Sequence, residues 1–120
     1  MIIKKSQMDL KNKIYNKLKQ VPRGKVITYK ELAKAVNSKA YRFVGMCMAE
    51  NKDTIHIPCY KVVKSNGEIG EYSGKGGIKG KIKMLKRDGI EIVNGRVDLK
   101  KYRWRFNFYT EEQVKKILGL

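Results

Sequence analysis

The chain has 120 residues, with 28 Lys or Arg against 11 Asp or Glu, which gives a formal net charge of +17. This length predicts one small domain. Because 42% of the residues are hydrophobic, the chain can build a core, and the charge does not indicate a disordered chain. A field of this sign attracts polyanions, so nucleic acid is the expected partner. The alternative is a basic surface that serves only solubility.

The first residues and the cysteines of the chain indicate which cellular compartment to expect. Only residues 1–3 are apolar before Lys4, which gives neither a signal-peptide core nor a membrane-spanning segment. A cytoplasmic, nucleoid-associated protein without a membrane partner is therefore expected, with Cys47 and Cys59 reduced. One histidine and two cysteines do not provide a zinc-ligand cluster, and no metal or other cofactor is expected.

The first part of the chain has the pattern of an amphipathic helix. A helix is predicted over residues 7–20, with Ser6 as its N-cap. Its apolar positions recur at helical spacing: Leu10, Ile14, Leu18 and Val21.

Two further helices follow with a tight turn between them. Thr28 and Glu31 form a capping box that predicts the second helix, and a third is predicted over residues 39–50. Two short helices joined in this way indicate a helix-turn-helix. In the third helix Arg42 points away from the core, beside the small residue Gly45. The positions assigned to its buried face are Ala40, Val44, Cys47 and Met48, so Cys47 is interpreted as a core thiol.

The middle of the chain alternates short structured segments with turns. The β-branched run over residues 55–63 predicts a strand, which would place His56 and Cys59 on opposite faces. A glycine-rich stretch around Tyr72 follows, and then a helix that begins near Ile78 and has Gly89 as its C′ residue. Residues 90–99 predict a hairpin that turns at Asn94-Gly95.

The last twenty residues alternate aromatic and basic side chains before a terminal helix that starts at 110–113. The period of two predicts a strand with an aromatic face. Two interpretations remain open, since the aromatic rings can stack on nucleic-acid bases or can cover the core of the domain or a partner subunit. The alternating aromatic residues are Tyr102, Trp104, Phe106 and Phe108.

The run Pro58-Cys59-Tyr60-Lys61-Val62 resembles the Pro-Cys-His-Arg-Val signature of the O6-alkylguanine-DNA alkyltransferases, with tyrosine in place of histidine and lysine in place of arginine. In that family the cysteine takes an alkyl group from guanine O6 by direct displacement and is not regenerated. The base reaches the cysteine by rotating out of the duplex through the minor groove. The resemblance therefore implies that Cys59 is an alkyl acceptor and that double-stranded DNA with alkylated guanine is the partner.

Other motifs extend the resemblance over roughly residues 8 to 99. Tyr29 matches the tyrosine that works against the target phosphate as the nucleotide rotates. Arg42, followed by Val44-Gly45, matches the arginine finger that fills the gap in the base stack, although Tyr41 stands where the family prefers a small residue. Asn51 matches the asparagine that links the recognition helix to the cysteine segment.

The resemblance also implies the remaining site residues. Tyr72 matches the tyrosine that donates to guanine N3, and Ser73 matches the serine whose backbone N–H approaches O6. In the family a glutamate orients the signature histidine. In this chain Asp88 stands at the position of the glutamate, and Tyr60 stands at the position of the histidine. A phenol has an ordinary pKa of about 10, so Tyr60 is a poor base at neutral pH.

These observations lead to one predicted architecture and three candidate functions. The expected fold is α+β, a winged helix-turn-helix domain over residues 1–100 with an extension over 101–120 that packs on the domain or on a partner. The first function is irreversible alkyl transfer to Cys59 by a monomer. The second is a lesion sensor of the alkyltransferase-like kind, which holds O6-alkylguanine and signals to other repair proteins. The third is an architectural protein that binds DNA without specificity.

Overall fold

The structure, a computed structural model, describes residues 4–106 and 111–119. It has the α+β architecture that the sequence predicts, with a helical half that is followed by short strands and turns. None of the helices among the described residues is long and apolar enough to cross a bilayer. In chain order the elements are α1 (Lys5–Lys19), β1 (Ile27–Thr28), α2 (Tyr29–Ala35), α3 (Tyr41–Ala49), a 3-10 turn (Cys59–Lys61), β2 (Val62–Val63), α4 (Gly77–Arg87), β3 (Ile92–Val93), β4 (Arg96–Val97), α5 (Leu99–Tyr102) and α6 (Glu111–Leu118).

The start of α2 has the predicted cap, whereas the start of α1 does not. The Thr28 hydroxyl accepts a hydrogen bond from the Glu31 N–H at 3.1 Å, which confirms the cap of α2. Ser6 lies inside α1 and Lys4 is the N-cap, so the Ser6 cap is wrong. The physical reason is that the Gln7 side chain reaches back and accepts from the Lys4 N–H at 3.2 Å.

The three helices bury one apolar face each in a common core. The prediction that Ala40 shares the buried face of α3 is wrong, because Ala40 is the exposed N-cap that precedes the first helical turn. The predicted core thiol Cys47 is confirmed as fully buried. The core side chains from α1, α2 and α3 are Ile14, Leu18, Leu32, Ala33, Val44, Cys47 and Met48.

The strand predicted over 55–63 is wrong for most of its length. Only Val62 and Val63 form β2, which pairs in parallel with β1 and aligns Ile27 with Val62. Upstream, the backbone bonds locally instead of across a sheet, since the Ile57 carbonyl accepts from the Asn51 side chain and from the Cys59 N–H, both at 2.8 Å. Pro58, which lacks an N–H, is the N-cap residue of the 3-10 turn.

The second half of the domain contains two turns that the sequence predicts correctly. Gly89 follows α4 at φ +82°, and the next N–H, that of Ile90, bonds to the Leu85 carbonyl at 3.0 Å. This is the predicted C′ glycine. Asn94 and Gly95 both have positive φ and join β3 to antiparallel β4, which confirms the hairpin.

The aromatic segment near the C-terminus is not the strand that the alternation predicts. Tyr102 ends the short helix α5, and Trp104 then bonds from its N–H to the Val26 carbonyl at 2.7 Å. Trp104 and Phe106 make an edge-to-face contact and pack against the helical core, whereas Phe108 lies outside the described residues. The terminal helix is confirmed as α6. The division of the chain at residue 100 stays a prediction.

Candidate functional site

A cavity of about 480 Å³ opens between α3, the 3-10 turn and the glycine-rich loop that precedes α4. Five of the predicted site residues meet here, although they come from four separate segments of the chain: Tyr29, Gly45, Cys59, Tyr72 and Ser73. Pocket walls of this kind, mostly apolar with a few polar groups, are typical of small-ligand sites. The residues that line the cavity are Tyr29, Tyr41, Gly45, Met48, Ala49, Cys59, Lys64, Glu71, Tyr72 and Ser73.

Cys59 lies at the first position of the 3-10 turn and is only 4% exposed. Burial raises the pKa of its thiol above the ordinary value. A hydrogen bond from the Asn51 side chain and the positive charge of Lys81 act in the opposite direction without cancelling the effect of burial. At neutral pH the resting group is therefore a thiol, and a reaction that needs the thiolate must first remove a proton.

Lys81 is a fully buried lysine on α4, beside the cysteine segment. Its ammonium group donates to the carbonyl oxygens of Val62 at 2.6 Å, Ile69 at 2.5 Å and Glu71 at 3.1 Å. These three acceptors come from β2 and from the loop that leads to Tyr72. Lys81 therefore joins the chain segment that follows Cys59 to the loop that leads to Tyr72, and burial lowers the pKa of Lys81 to about 8.

This buried charge predicts an unusual dependence of stability on pH. Between pH 8 and 9 the unfolded chain keeps the Lys81 proton while the folded protein releases it, so Lys81 by itself should raise the free energy of unfolding by about 1 kcal/mol. Cys47 and Cys59 offset part of this rise below pH 9 and outweigh it above pH 9, because the ordinary cysteine pKa is 9.0 and burial raises the pKa of both thiols. Urea unfolding at several pH values should show a maximum near pH 9. Relative to Lys81→Met, which lacks the titrating group, wild type should gain this stability between pH 8 and 9. Lys83→Met, which removes an exposed lysine of the same helix, should follow wild type, and a wild-type profile parallel to that of Lys81→Met would contradict the prediction.

Tyr60 and Asp88 contact each other outside the residues that line the cavity. The Tyr60 hydroxyl donates to Asp88 Oδ2 at 2.5 Å, and Arg23 Nε lies 3.4 Å from the other carboxylate oxygen. Burial, together with the hydrogen bond and negative charge of Asp88, raises the pKa of Tyr60 to about 12. Tyr60 thus holds its proton at neutral pH and connects the 3-10 turn to the end of α4. The catalytic roles of both residues stay predictions.

Tyr72 and Ser73 line the cavity from the glycine-rich loop, and Ser73 also contacts α3. The Tyr72 hydroxyl is 3.6 Å from the Met84 sulfur, and the Ser73 hydroxyl donates to the Met48 carbonyl at 3.1 Å. A side chain at Gly74 would clash with the Tyr72 ring, so this glycine leaves the space that the ring occupies. Two residues that the sequence joins in one motif therefore line the same cavity as Cys59, and their roles stay predictions.

The cavity is open on the side formed by α3, and the predicted arginine finger lies outside the cavity. Tyr41 and Gly45 face the cavity one helical turn apart, and a Cβ at Gly45 would meet nothing within 4 Å. Arg42 is exposed and does not line the cavity, and its role as a finger stays a prediction. Asn51 is buried behind Cys59, where it also accepts from the Asp53 N–H at 3.0 Å.

Sequence reasoning missed Lys81, although a signal was present. Ile78, Ile82 and Leu85 define the apolar face of α4, and Lys81 falls on that face at helical spacing. A lysine in such a position needs several acceptors when it is buried. Lys64 was also missed. The chain has a net charge of +17, so nothing in the sequence distinguishes this lysine from the others, and only the structure places it in the cavity wall.

Residues 9–90 match the family model of the 6-O-methylguanine DNA methyltransferase DNA-binding domain. The chain belongs to this family. The match begins within α1 and contains α2, α3, α4 and every residue of the cavity. It stops before the β3–β4 hairpin and the aromatic segment. The sequence resemblance and the expected winged helix-turn-helix fold are thereby confirmed.

Several members of the methyltransferase family have similar sequences. The chain is 46% identical to a bifunctional methyltransferase/endonuclease of Picrophilus torridus and 40% identical to one of Thermoplasma volcanium, over 94% and 93% of its own length. It spans only 40% and 35% of those two proteins. A methylated-DNA–protein-cysteine methyltransferase of Saccharolobus islandicus is 37% identical to the chain. The alignment covers 66% of this chain and 50% of that protein.

Solved structures of the family share the fold. S. pombe Atl1, solved in complex with damaged DNA containing O6-carboxymethylguanine, matches with a TM-score of 0.75 and 27% identity over 88% of this chain and 100% of its own. The O6-methylguanine-DNA methyltransferase of Pyrococcus kodakaraensis matches with a TM-score of 0.58 and 43% identity, over 67% of this chain and 46% of its own.

Proposed function

We propose that this protein binds duplex DNA that contains O6-alkylguanine, takes the damaged base into the cavity and accepts the alkyl group on Cys59. The observation that supports this most strongly is that Cys59, Tyr72 and Ser73, from two sequence motifs, line one cavity large enough for a base. The similar Atl1 protein was solved with damaged DNA of this kind. The net charge of +17 supplies attraction for the phosphates of the duplex.

The reaction transfers one alkyl group and exchanges one proton. The Cys59 sulfur attacks the alkyl carbon, a carbon–sulfur bond forms, and the bond between that carbon and guanine O6 breaks. The electron pair of the broken bond stays on guanine, which takes up the proton that the thiol loses. The Tyr72 hydroxyl would stabilise the charge that develops on the ring by donating to it. The products are an alkylated cysteine and normal guanine, and the protein acts once.

The supply of thiolate distinguishes the first candidate function from the second. Burial raises the pKa of Cys59, and Tyr60, with a pKa of about 12, keeps its proton and donates a hydrogen bond to Asp88, so Tyr60 does not supply the general base that the histidine of the family signature would supply. This favours slow transfer. The same observation favours a lesion sensor of the alkyltransferase-like kind as the second candidate, since a sensor needs the cavity without the thiolate.

The deciding measurement is the intact mass of the protein after incubation with duplex that contains O6-methylguanine. Transfer adds the mass of one methyl group, located on Cys59 by peptide mapping. Tight binding of the damaged duplex without any added mass over hours would contradict transfer and support the sensor. Undamaged duplex of the same sequence serves as the control.

The exposed Arg42 on α3 gives a test of base rotation. A base that leaves the stack opens a gap that an inserted side chain fills, whereas a peripheral lysine contributes only to phosphate attraction. Arg42→Ala should therefore weaken binding to O6-methylguanine duplex by roughly tenfold or more, measured by fluorescence anisotropy.

The matched control is Lys5→Ala, which removes one exposed positive charge from α1. It should weaken binding to damaged and undamaged duplex alike and by less than Arg42→Ala. Equal losses for the two variants would contradict the finger role of Arg42. Equal wild-type affinity for damaged and undamaged duplex would instead indicate a protein that binds DNA without specificity.

A further inference from the structure

Tyr41 is a large aromatic residue at the mouth of the cavity. It lines the cavity and is still 44% exposed. Cys59 and Met48 line the same cavity but are only 4% and 6% exposed, so they lie at its floor. The family prefers a small residue where this chain has Tyr41. The ring at the mouth is therefore a feature of this chain that the family signature does not explain.

The backbone that carries Tyr41 belongs to the first turn of α3 and is held in place. The Tyr41 N–H bonds to the Lys39 carbonyl at 2.9 Å. Side chains four, seven and eight positions farther along a helix lie on the same face. Tyr41 therefore stands at one end of a wall that runs along α3 for two turns, about 10 Å. The other residues of α3 that line the cavity are Gly45, Met48 and Ala49.

The position one turn after Tyr41 leaves open space beside its ring. An aromatic side chain on a helix usually gains contacts from the side chains at i+3 and i+4. The residue at i+3, Val44, is fully buried in the core, and the residue at i+4 is Gly45. A Cβ at Gly45 would meet nothing within 4 Å. The cavity side of the Tyr41 ring is thus open to a ligand.

A nucleobase is the ligand that suits this position. The ring lies at the entrance of a cavity large enough for a base, in a protein whose net charge of +17 attracts DNA. An aromatic ring stacks on any nucleobase, because every base presents a flat π-face. The other tyrosines of the cavity wall, Tyr29 and Tyr72, are both less exposed than Tyr41. Stacking would remove the exposed ring of Tyr41 from water.

We infer that Tyr41 is a binding residue for the damaged nucleotide: its ring stacks on the extrahelical base at the mouth of the cavity and holds that base against the open stretch of α3 at Gly45. This rests on the proposed function, because it takes a base rotated out of damaged duplex as the ligand. The next residue, Arg42, is exposed and lies outside the cavity. Two neighbouring side chains of α3 therefore meet different parts of the DNA. Tyr41 contacts the base that has left the duplex, and Arg42 contacts the gap that remains.

The test removes the base that the ring contacts. Two duplexes of one sequence are compared by fluorescence anisotropy: one contains O6-methylguanine, and the other contains an abasic site, which has the gap but no base to enter the cavity. Tyr41→Leu replaces the ring by an apolar side chain that cannot stack. It should weaken binding to the O6-methylguanine duplex about tenfold and should leave binding to the abasic duplex within about twofold of wild type. Tyr41→Phe keeps the ring and should bind both duplexes as wild type does.

The matched control is Arg42→Ala, which removes the neighbouring side chain and should weaken binding to both duplexes, because both contain the gap. Equal losses for Tyr41→Leu on the two duplexes, or a loss in Tyr41→Phe as large as that in Tyr41→Leu, would overturn the stacking role and leave the proposed function intact. Tighter binding of the O6-methylguanine duplex by Tyr41→Leu would overturn it as well, since the ring would then obstruct the mouth. Equal wild-type affinity for damaged and undamaged duplex would contradict the proposed function and this role together.

Discussion

Cys59→Ala protein should bind duplex that contains O6-methylguanine within about threefold of the wild-type affinity and should gain no methyl mass. The sulfur is the atom that forms the new bond, so no neighbouring group can replace it. Binding should survive because the other cavity residues and the basic surface remain. Intact mass and fluorescence anisotropy on the same samples separate the two effects.

Cys47→Ala is the matched control for this loss, since it removes the other free cysteine. Cys47 is fully buried in the helical core on α3, with no place in the cavity wall. The variant should lose about 1–2 kcal/mol of unfolding free energy through the space left in the core and should still take up a methyl group. Transfer to Cys59→Ala, or loss of transfer in a folded Cys47→Ala protein, would contradict the assignment of the acceptor.

The sequence allowed prediction of the helices because their signals are local. The Thr28 cap, the C′ glycine Gly89 and the Asn94-Gly95 turn each involve residues within a few positions of one another, and all three are present. The strand over 55–63 failed for the opposite reason. Its β-branched residues suit a strand, but the Asn51 side chain, six residues before Ile57, takes up the backbone carbonyl and bends the chain into a turn.

The grouping of the site residues was accessible from motifs, whereas their contacts were not. Tyr29, Cys59 and Tyr72 were each assigned through separate motifs, and the structure places them around one cavity. The bond from Tyr60 to Asp88 joins residues 28 positions apart and depends on how α4 packs on the 3-10 turn. No spacing rule in the sequence gives that distance. The three carbonyl acceptors of Lys81 likewise exist only after two loops have folded over it.

The lengths of the Tyr60 and Asp88 side chains can be compared with those of the residues that the family has at the same two positions. The family carries histidine and glutamate at these positions, while this chain carries a longer aromatic side chain opposite a shorter carboxylate. The 2.5 Å bond shows that the two changes together keep the pair in contact. A histidine introduced alone at position 60 would face an aspartate too short to meet it, and the imidazole would lack the carboxylate that orients it.

The double variant Tyr60→His with Asp88→Glu should therefore transfer a methyl group about a hundredfold or more faster than wild type, because a positioned imidazole can take the thiol proton and a phenol with a pKa near 12 cannot. Tyr60→His alone should gain less, and Asp88→Glu alone should gain nothing. Single-turnover transfer from O6-methylguanine duplex measures all four proteins, and the gain should decline below about pH 6.5 as the imidazole becomes protonated. Purely additive effects of the two substitutions would contradict the paired geometry. Wild-type transfer as fast as that of the double variant would show that Cys59 obtains its thiolate without a base.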